Sequence, residues 1–397
     1  MAEQRVVVGS LEMHVEVVGD GVPVVLLHGL GLTGALWHRV RDGFRPGYRL
    51  IVPDLRSAGA TRELERTELS LARWADDLAG LLATLGVERP VLVGHSLGAG
   101  IALKYALERP DDVRALALIG ADATLSNLAP RMNASAERIE RLGMEAWVAE
   151  YWSQNPPFAA ESLERDPEIL AEYRTLVLAN DPIDYVRQCR AVAEAEDLAP
   201  RLGQITQPAL VLIGASDDRT LPEHGRALAE QLGDARVVEI PDVGHTLPLE
   251  APDAVAAAVR AFLEDVAPGA RRATVLRADT TPRNSPEGPF GHLDVRWVVG
   301  PQMGATLISF GQSTYPEGAT HENHYHPNAE EVVIVVSGRG TQVVGDASLD
   351  VGAGDVCFIP RSTPHRITGT SAEPLVILWA FGGAASMEQA GYVPLPD

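Results

Sequence analysis

One short string, Val91-Leu92-Val93-Gly94-His95-Ser96-Leu97-Gly98, constrains the fold of this chain more than any other. The residues before the turn read as a buried strand, and a helical pattern begins at Leu97. Between them, Gly-x-Ser-x-Gly makes a sharp strand-to-helix turn with a serine at its tip. Such a turn lifts a hydroxyl out of a sheet to where a base can reach it. Gly94 and Gly98 are small because the backbone is strained there and the turn packs tightly.

The rest of the first 266 residues repeats the same alternation. Residues 5–18 alternate apolar and polar around Gly9-Ser10, which predicts an antiparallel hairpin. Strands are predicted over 22–27, 49–53, 90–94, 113–119, 208–214 and 236–240. Helices are predicted over 71–85, 97–107, 222–232 and 252–266. This order implies a largely parallel sheet covered on both faces. Residues 122–205 break the alternation with helical patterns interrupted by prolines, and read as a helical insertion over the C-terminal edge of the sheet. Residues 267–289 are rich in proline and read as a linker. From Leu293 onward, short alternating runs lie between glycine-rich turns, which predicts an all-β barrel over 290–397.

With 54 acidic against 33 basic residues, the net charge is −21. That argues against nucleic acid and anionic membrane surfaces as partners. No apolar run reaches membrane-spanning length, and the first residues show no secretory pattern. The two cysteines, Cys189 and Cys357, show no pairing pattern, so a cytoplasmic location is expected.

Ser96 needs a base, an orienting acid and an oxyanion hole. His245, in Val243-Gly244-His245, follows the last sheet strand and is the candidate base. The acid is sought after the preceding strand, in Gly214-Ala215-Ser216-Asp217-Asp218-Arg219-Thr220-Leu221-Pro222. The oxyanion donors are the backbone N–H groups of Leu97, next to the nucleophile, and Leu30, in Leu27-His28-Gly29-Leu30-Gly31. His28 reads as a shaper of that loop. Trp37, Trp147, Tyr151 and Trp152 are candidates for core packing or for lining a pocket under the insertion. In order and spacing, the Leu-His-Gly, Gly-His-Ser-Leu-Gly and Pro-Asp-Val-Gly-His strings make residues 1–266 resemble the α/β-hydrolase superfamily, especially its enol-lactonase, esterase and cofactor-free haloperoxidase-like members. The resemblance implies a mostly parallel doubly wound sheet with a helical cap, nucleophile Ser96, base His245 and an acid at Asp217 or Asp218: the family's spacing counted from Gly214 favours Asp217, that counted back from Pro222 favours Asp218, and the strand end leans to Asp217. It departs from the family at Ser57-Ala58-Gly59-Ala60-Thr61, a loop expected to be scaffold.

The C-terminal part carries a second constellation. His324 and His326 are two apart, so on a strand both imidazoles share a face. Glu331 opens the next strand, and His365 follows a second glycine-and-proline run. Three imidazoles and one carboxylate suit Mn, Fe, Ni, Zn or Cu. The spacing through Gly318, His324, His326, Glu331 and Gly338, then Gly354, Pro360 and His365, resembles a single cupin, with Ser362 and Gly369 as departures. His321 is expected to be a solvated loop residue. Val332–Val336 is apolar throughout, which predicts that both strand faces are covered, through a homodimer or by docking on the hydrolase part. Together these features point to a small-molecule ester or lactone hydrolase fused to a metal-binding cupin that performs a coupled oxygenation or isomerisation. The alternatives are a hydrolase with a non-catalytic cupin, or a cupin metalloenzyme with an inactive hydrolase fold.

Overall fold

A computed structural model of the chain describes residues 2–44, 47–152, 156–267, 281, 293–300, 305 and 307–395, without the side chains of 2, 151 and 152. The expected linker over 267–289 lies outside the described residues except for Ala267 and Thr281. The chain divides into two compact units, Met1–Arg271 and Arg272–Asp397.

The first unit runs β1 (Ala2–Val8), β2 (Leu11–Val18), β3 (Val22–Leu27), β4 (Tyr48–Pro53), β5 (Arg62–Glu63), α1 (Leu71–Thr84), β6 (Val91–His95), α2 (Leu97–Glu108) and β7 (Ala115–Ile119). Five helices then intervene: α3 (Ala129–Leu142), α4 (Met144–Trp152), α5 (Ala160–Arg165), α6 (Ile169–Leu178) and α7 (Pro182–Ala193). The unit closes with β8 (Ala209–Gly214), α8 (Pro222–Gln231), β9 (Ala235–Ile240), α9 (Leu247–Glu250) and α10 (Pro252–Val266).

The sheet order is β1-β2-β4-β3-β6-β7-β8-β9, with β5 on β2. Pairing is antiparallel from β1 to β4 and parallel from β4 to β9. Strands β6, β7 and β8 are buried at every position, as parallel strands covered on both faces should be. Their two faces feed two apolar layers: Leu92, Leu116 and Val211 on one side, Val93, Ala117 and Leu212 on the other. The helices between β7 and β8 occupy the expected insertion. Helix α1 starts where Ser70 caps the Arg73 N–H. No helix of the described residues is long and apolar enough to cross a membrane.

The second unit runs β10 (Asp294–Val299), β11 (Ile308–Tyr315), β12 (His324–Tyr325), β13 (Glu330–Ser337), β14 (Arg339–Val344), β15 (Ala347–Gly352), β16 (Val356–Ile359), β17 (His365–Gly369), β18 (Leu375–Gly382), α11 (Met387–Ala390) and β19 (Val393–Pro394). These form two five-stranded antiparallel sheets, β10-β11-β18-β13-β16 and β15-β14-β17-β12-β19. Strand β13 alternates in burial. Val333 and Val335 are buried, but Ile334 and Val336 are 37% and 49% exposed. Its outward face is therefore bare in the single chain. Cross-strand partners Val356 and Phe358 are bare too, so the apolar surface is continuous.

Candidate active site and candidate metal centre

The tip of the β6–α2 turn is strained as the motif demands. Ser96 sits at φ +51°, ψ −113°, outside the ordinary regions for a non-glycine residue. A Cβ on Gly94 would lie 2.4 Å from Gly98 O, and one on Gly98 would lie 2.2 Å from Leu27 O. Only glycine lets β3 and the turn pack this closely.

Three loops at the C-terminal ends of β6, β8 and β9 meet at this turn. Ser96 Oγ lies 3.0 Å from His245 Nε2, and His245 Nδ1 lies 2.8 Å from Asp217 Oδ2. Asp217 Oδ1 accepts from the N–H groups of Arg219 at 2.7 Å and Thr220 at 2.9 Å. Burial works against the Asp217 charge, but the His245 ring and the two amides outweigh it and hold the carboxyl below its usual range. Asp218 points elsewhere: its side chain is 69% exposed and pairs with Arg219. The geometry therefore brings Asp217, not Asp218, to the imidazole.

Two further histidines frame the site. His28 Nδ1 donates to Gly29 O at 2.9 Å, leaving Nε2 to accept from Leu55 N–H at 2.9 Å. Both nitrogens are thus occupied by backbone, and burial holds the ring's pKa below the usual imidazole value. His95, inside the turn motif, donates from Nε2 to His245 O at 2.9 Å, and burial lowers its pKa to about 3. Leu97 begins α2, where a helix leaves its first N–H groups without intrahelical acceptors. Leu30 lines the same pocket as Ser96 and His245. Of the aromatic candidates, Trp147 lines this pocket and Trp37 lies in the core; the side chains of Tyr151 and Trp152 are outside the described set. Arg219 of the acid loop also lines it, as do Arg131, Tyr173 and Tyr185 of the insertion, which no sequence motif marks because they reach the site only when the insertion folds over it.

In the second unit, His324, His326, Glu331 and His365 are all buried and gather so that one ligand atom of each lies within 4.8 Å of every other. They come from β12, the residue after it, β13 and β17, with His324 directly opposite His365 in the ladder. Each imidazole is oriented from behind. Nδ1 lies 2.8 Å from Glu322 O in His324, 2.6 Å from Gly391 O in His326, and 2.9 Å from Thr363 O in His365. Donation from Nδ1–H to these carbonyls fixes the tautomer and turns each Nε2 inward, as in histidines that ligate metals. His365 Nε2 and Glu331 Oε2 stand 2.9 Å apart, and neither makes a hydrogen bond of ordinary geometry.

Ligand atoms about 2.0–2.2 Å from a shared ion lie about 3–4 Å apart, close to the spread seen here. Burial lowers the pKa of His324, to about 2, and of His326, which keeps both neutral and able to ligate. Burial also opposes the charge on His365, but the Glu331 carboxylate outweighs it and raises that pKa. These residues fit a divalent transition metal. Glu330, the carboxylate next to Glu331 in the chain, is exposed. His321 differs from expectation: it is half-buried, lies 4.2 Å from the His324 ring centre to centre, and lines the cavity beside the quartet.

Comparison with known proteins agrees with this division. Residues 22–252 match the family described as alpha/beta hydrolase fold, and residues 311–381 match the cupin domain family. A Klebsiella pneumoniae relative named for carbamate hydrolysis, RutD, is 32% identical over 259 residues, spanning 63% of this chain and 95% of the relative. An esterase structure from Thermogutta terrifontis superposes with a TM-score of 0.61 at 30% identity, covering 67% of this chain and 99% of that one. The enol-lactonase of Burkholderia xenovorans LB400 does so with a TM-score of 0.60 at 27% identity, covering 66% and 99%. These relatives support hydrolase activity in the first unit. The chain belongs to the α/β-hydrolase fold family and carries a cupin domain after it.

Proposed function

We propose that the chain is a serine hydrolase acting on a small-molecule ester or lactone, with Ser96 as nucleophile, His245 as base and Asp217 as orienting acid. The hydrogen-bond relay from Asp217 through His245 to Ser96 carries this reading. In it, Ser96 Oγ attacks the substrate carbonyl carbon and passes its proton to His245 Nε2. Asp217 stabilises the imidazolium that forms. The oxygen that gains negative charge is met by the N–H groups of Leu30 and Leu97, each worth about 10²–10³ in rate. Collapse expels the alcohol oxygen, which takes the proton from His245. Water then releases the acyl group through the same base. Ester and enol-lactone cleavage share this chemistry, which is why the named relatives support it.

In the second unit, His324, His326 and His365 would offer Nε2 and Glu331 a carboxylate oxygen to one Mn, Fe, Ni, Zn or Cu ion. When bound, such an ion supplies Lewis-acid or redox chemistry with positions left for substrate. The proposed role of this unit is an oxygenation or isomerisation coupled to the hydrolysis. The bare apolar face of Ile334, Val336, Val356 and Phe358 supports a homodimer formed on the second unit. Two unpaired cysteines fit a cytoplasmic setting.

The test is turnover of p-nitrophenyl esters and of small lactones, with elemental analysis of the purified chain. Burst release of p-nitrophenol and about one metal ion per chain are expected. Absence of turnover across both substrate classes contradicts the hydrolase reading. A metal-free chain that takes up no added ion contradicts the second. Sedimentation at the monomer mass contradicts the dimer.

A further inference from the structure

The loop that offers Leu30 N–H is short, and only part of its geometry is set from within. Gly29 O accepts from His28 Nδ1–H at 2.9 Å and from Leu32 N–H at 3.2 Å. The C=O and N–H of a trans peptide point in opposite directions, so holding Gly29 O aims the Leu30 N–H the other way. The next peptide has no such internal support. Gly31 is held on both of its polar atoms by the helical insertion instead.

Gly31 N–H donates to Gln188 Oε1 at 2.9 Å, and Gly31 O accepts from Asn180 Nδ2 at 2.9 Å. These partners are 157 and 149 residues away in sequence. Gln188 lies on α7 and Asn180 just before it. Both are buried, at 1% and 5% exposure. Their remaining groups hold a second loop: Gln188 Nε2 donates to Ser57 O, and Asn180 Oδ1 accepts from Gly59 N–H at 3.0 Å. Gly31 has φ +67°, and a Cβ there would lie 2.0 Å from the Tyr185 ring of α7. The glycine lets α7 press directly on the loop. The base loop is tied to the insertion in the same way. Glu250 accepts from Gly244 N–H at 2.7 Å and Thr246 N–H at 2.8 Å, on either side of His245, and from Ala159 N–H of the insertion at 3.0 Å.

We infer that Gln188 and Asn180 are positioning residues for the oxyanion hole, so that the helical insertion is a working part of the catalytic centre as well as its cover. The inference rests on the serine-hydrolase reading above. Its physical basis is the cost of an unpaired buried amide. Without Gln188, Gly31 N–H has lost its acceptor in a water-poor site and the loop must shift to find another. A shift of about 1 Å next to an oxyanion donor is enough to lower turnover about 10²-fold. Seating the insertion and completing the hole are then one event.

The experiment uses the full chain with Gln188→Leu, which removes both hydrogen bonds at similar volume, and Gln188→Met, which keeps the side-chain length should the first variant fail to fold. Turnover of p-nitrophenyl butyrate is normalised to the fraction of chains titrated by a fluorophosphonate. Affinity for an alkyl trifluoromethyl ketone reports the hole directly, and amide exchange at Gly31 by NMR reports the hydrogen bond without turnover. The expected result is a 10- to 100-fold fall in normalised kcat with KM changed less than about 3-fold. Ketone affinity should fall in step with kcat/KM, and Gly31 should exchange at least about 10-fold faster. Normalised kcat and ketone affinity within about 2-fold of wild type overturn the inference, whatever the loss in melting temperature. A wild-type chain that takes no fluorophosphonate overturns the serine-hydrolase reading and this inference with it.

Discussion

The two candidate sites are built from similar side chains but satisfy them differently. From Asp217 to Ser96, each polar atom of the relay meets another protein atom: the carboxylate two amides and a ring, the ring a hydroxyl. In the second unit, the outward nitrogen of each imidazole meets a backbone carbonyl, and the inward-facing atoms converge on one another. The first site closes its polar atoms on one another within the protein. The second gathers three imidazoles and a carboxylate into a buried cluster that could hold a metal ion. Buried polar atoms are costly when unpaired, so the contrast is itself the argument for a cation.

The contrast breaks most readily at the nucleophile. Ser96→Ala is expected to lower ester turnover about 10⁶-fold while leaving metal content at wild-type level. Steady-state kinetics beside elemental analysis checks both halves; a loss of metal in this variant means that the sites are not separate devices. Next in size is the choice of acid. Asp217→Asn should lower kcat about 10⁴-fold, whereas Asp218→Asn, at an exposed position, should leave it within about 2-fold. The reverse pattern contradicts the geometry.

The second site gives a smaller, mirror-image effect. His324→Ala should reduce bound metal from about one ion per chain to none and leave ester hydrolysis unchanged. Chelation of the wild type should lower the second unit's melting transition by about 5–10 °C, since a ligand of the folded state alone stabilises it. Calorimetry that shows no change on chelation removes the ion from the account of that unit.

The smallest effect is a pH slope in the first unit. His95 is buried as the neutral ring, with a folded value near 3 against an unfolded value near 6.5. Its folded pKa is depressed, so below about pH 6.5 the unfolded chain takes up a proton that the folded one refuses. Stability present above pH 6.5 is therefore lost as the pH falls toward 3, by up to about 1.4 kcal/mol per pH unit from this group. Urea unfolding at pH 7 and 5.5 should show a shallower loss in His95→Gln than in wild type. Equal slopes contradict the buried neutral ring.

What could be read ahead of the structure followed the range of the interactions involved. The Ser96 turn was legible because its strand, glycines and helix are adjacent in sequence, and His324 and His326 because their spacing fixes a shared face. The choice between Asp217 and Asp218 was not, because it depends on which neighbour's side chain turns inward where the strand ends. Gln188, Asn180 and Glu250 carried no local signal: an amide on a helix and a carboxylate in a short turn become meaningful only when chain more than a hundred residues away, for the two amides, folds against them. His321 differs for a local reason: its loop folds its ring against that of His324, three residues on. The apolar run Val332–Val336 predicts cover on both faces; within one chain, Ile334 and Val336 are exposed, and what covers them lies beyond a single chain's sequence.

The most direct measurement is reaction of the wild-type chain with a fluorophosphonate, followed by mass spectrometry of its peptides. One adduct per chain, located on Ser96 and absent from the His245→Ala variant, is the predicted result. No adduct, or an adduct on another serine that persists without His245, contradicts the relay on which the account of this protein stands.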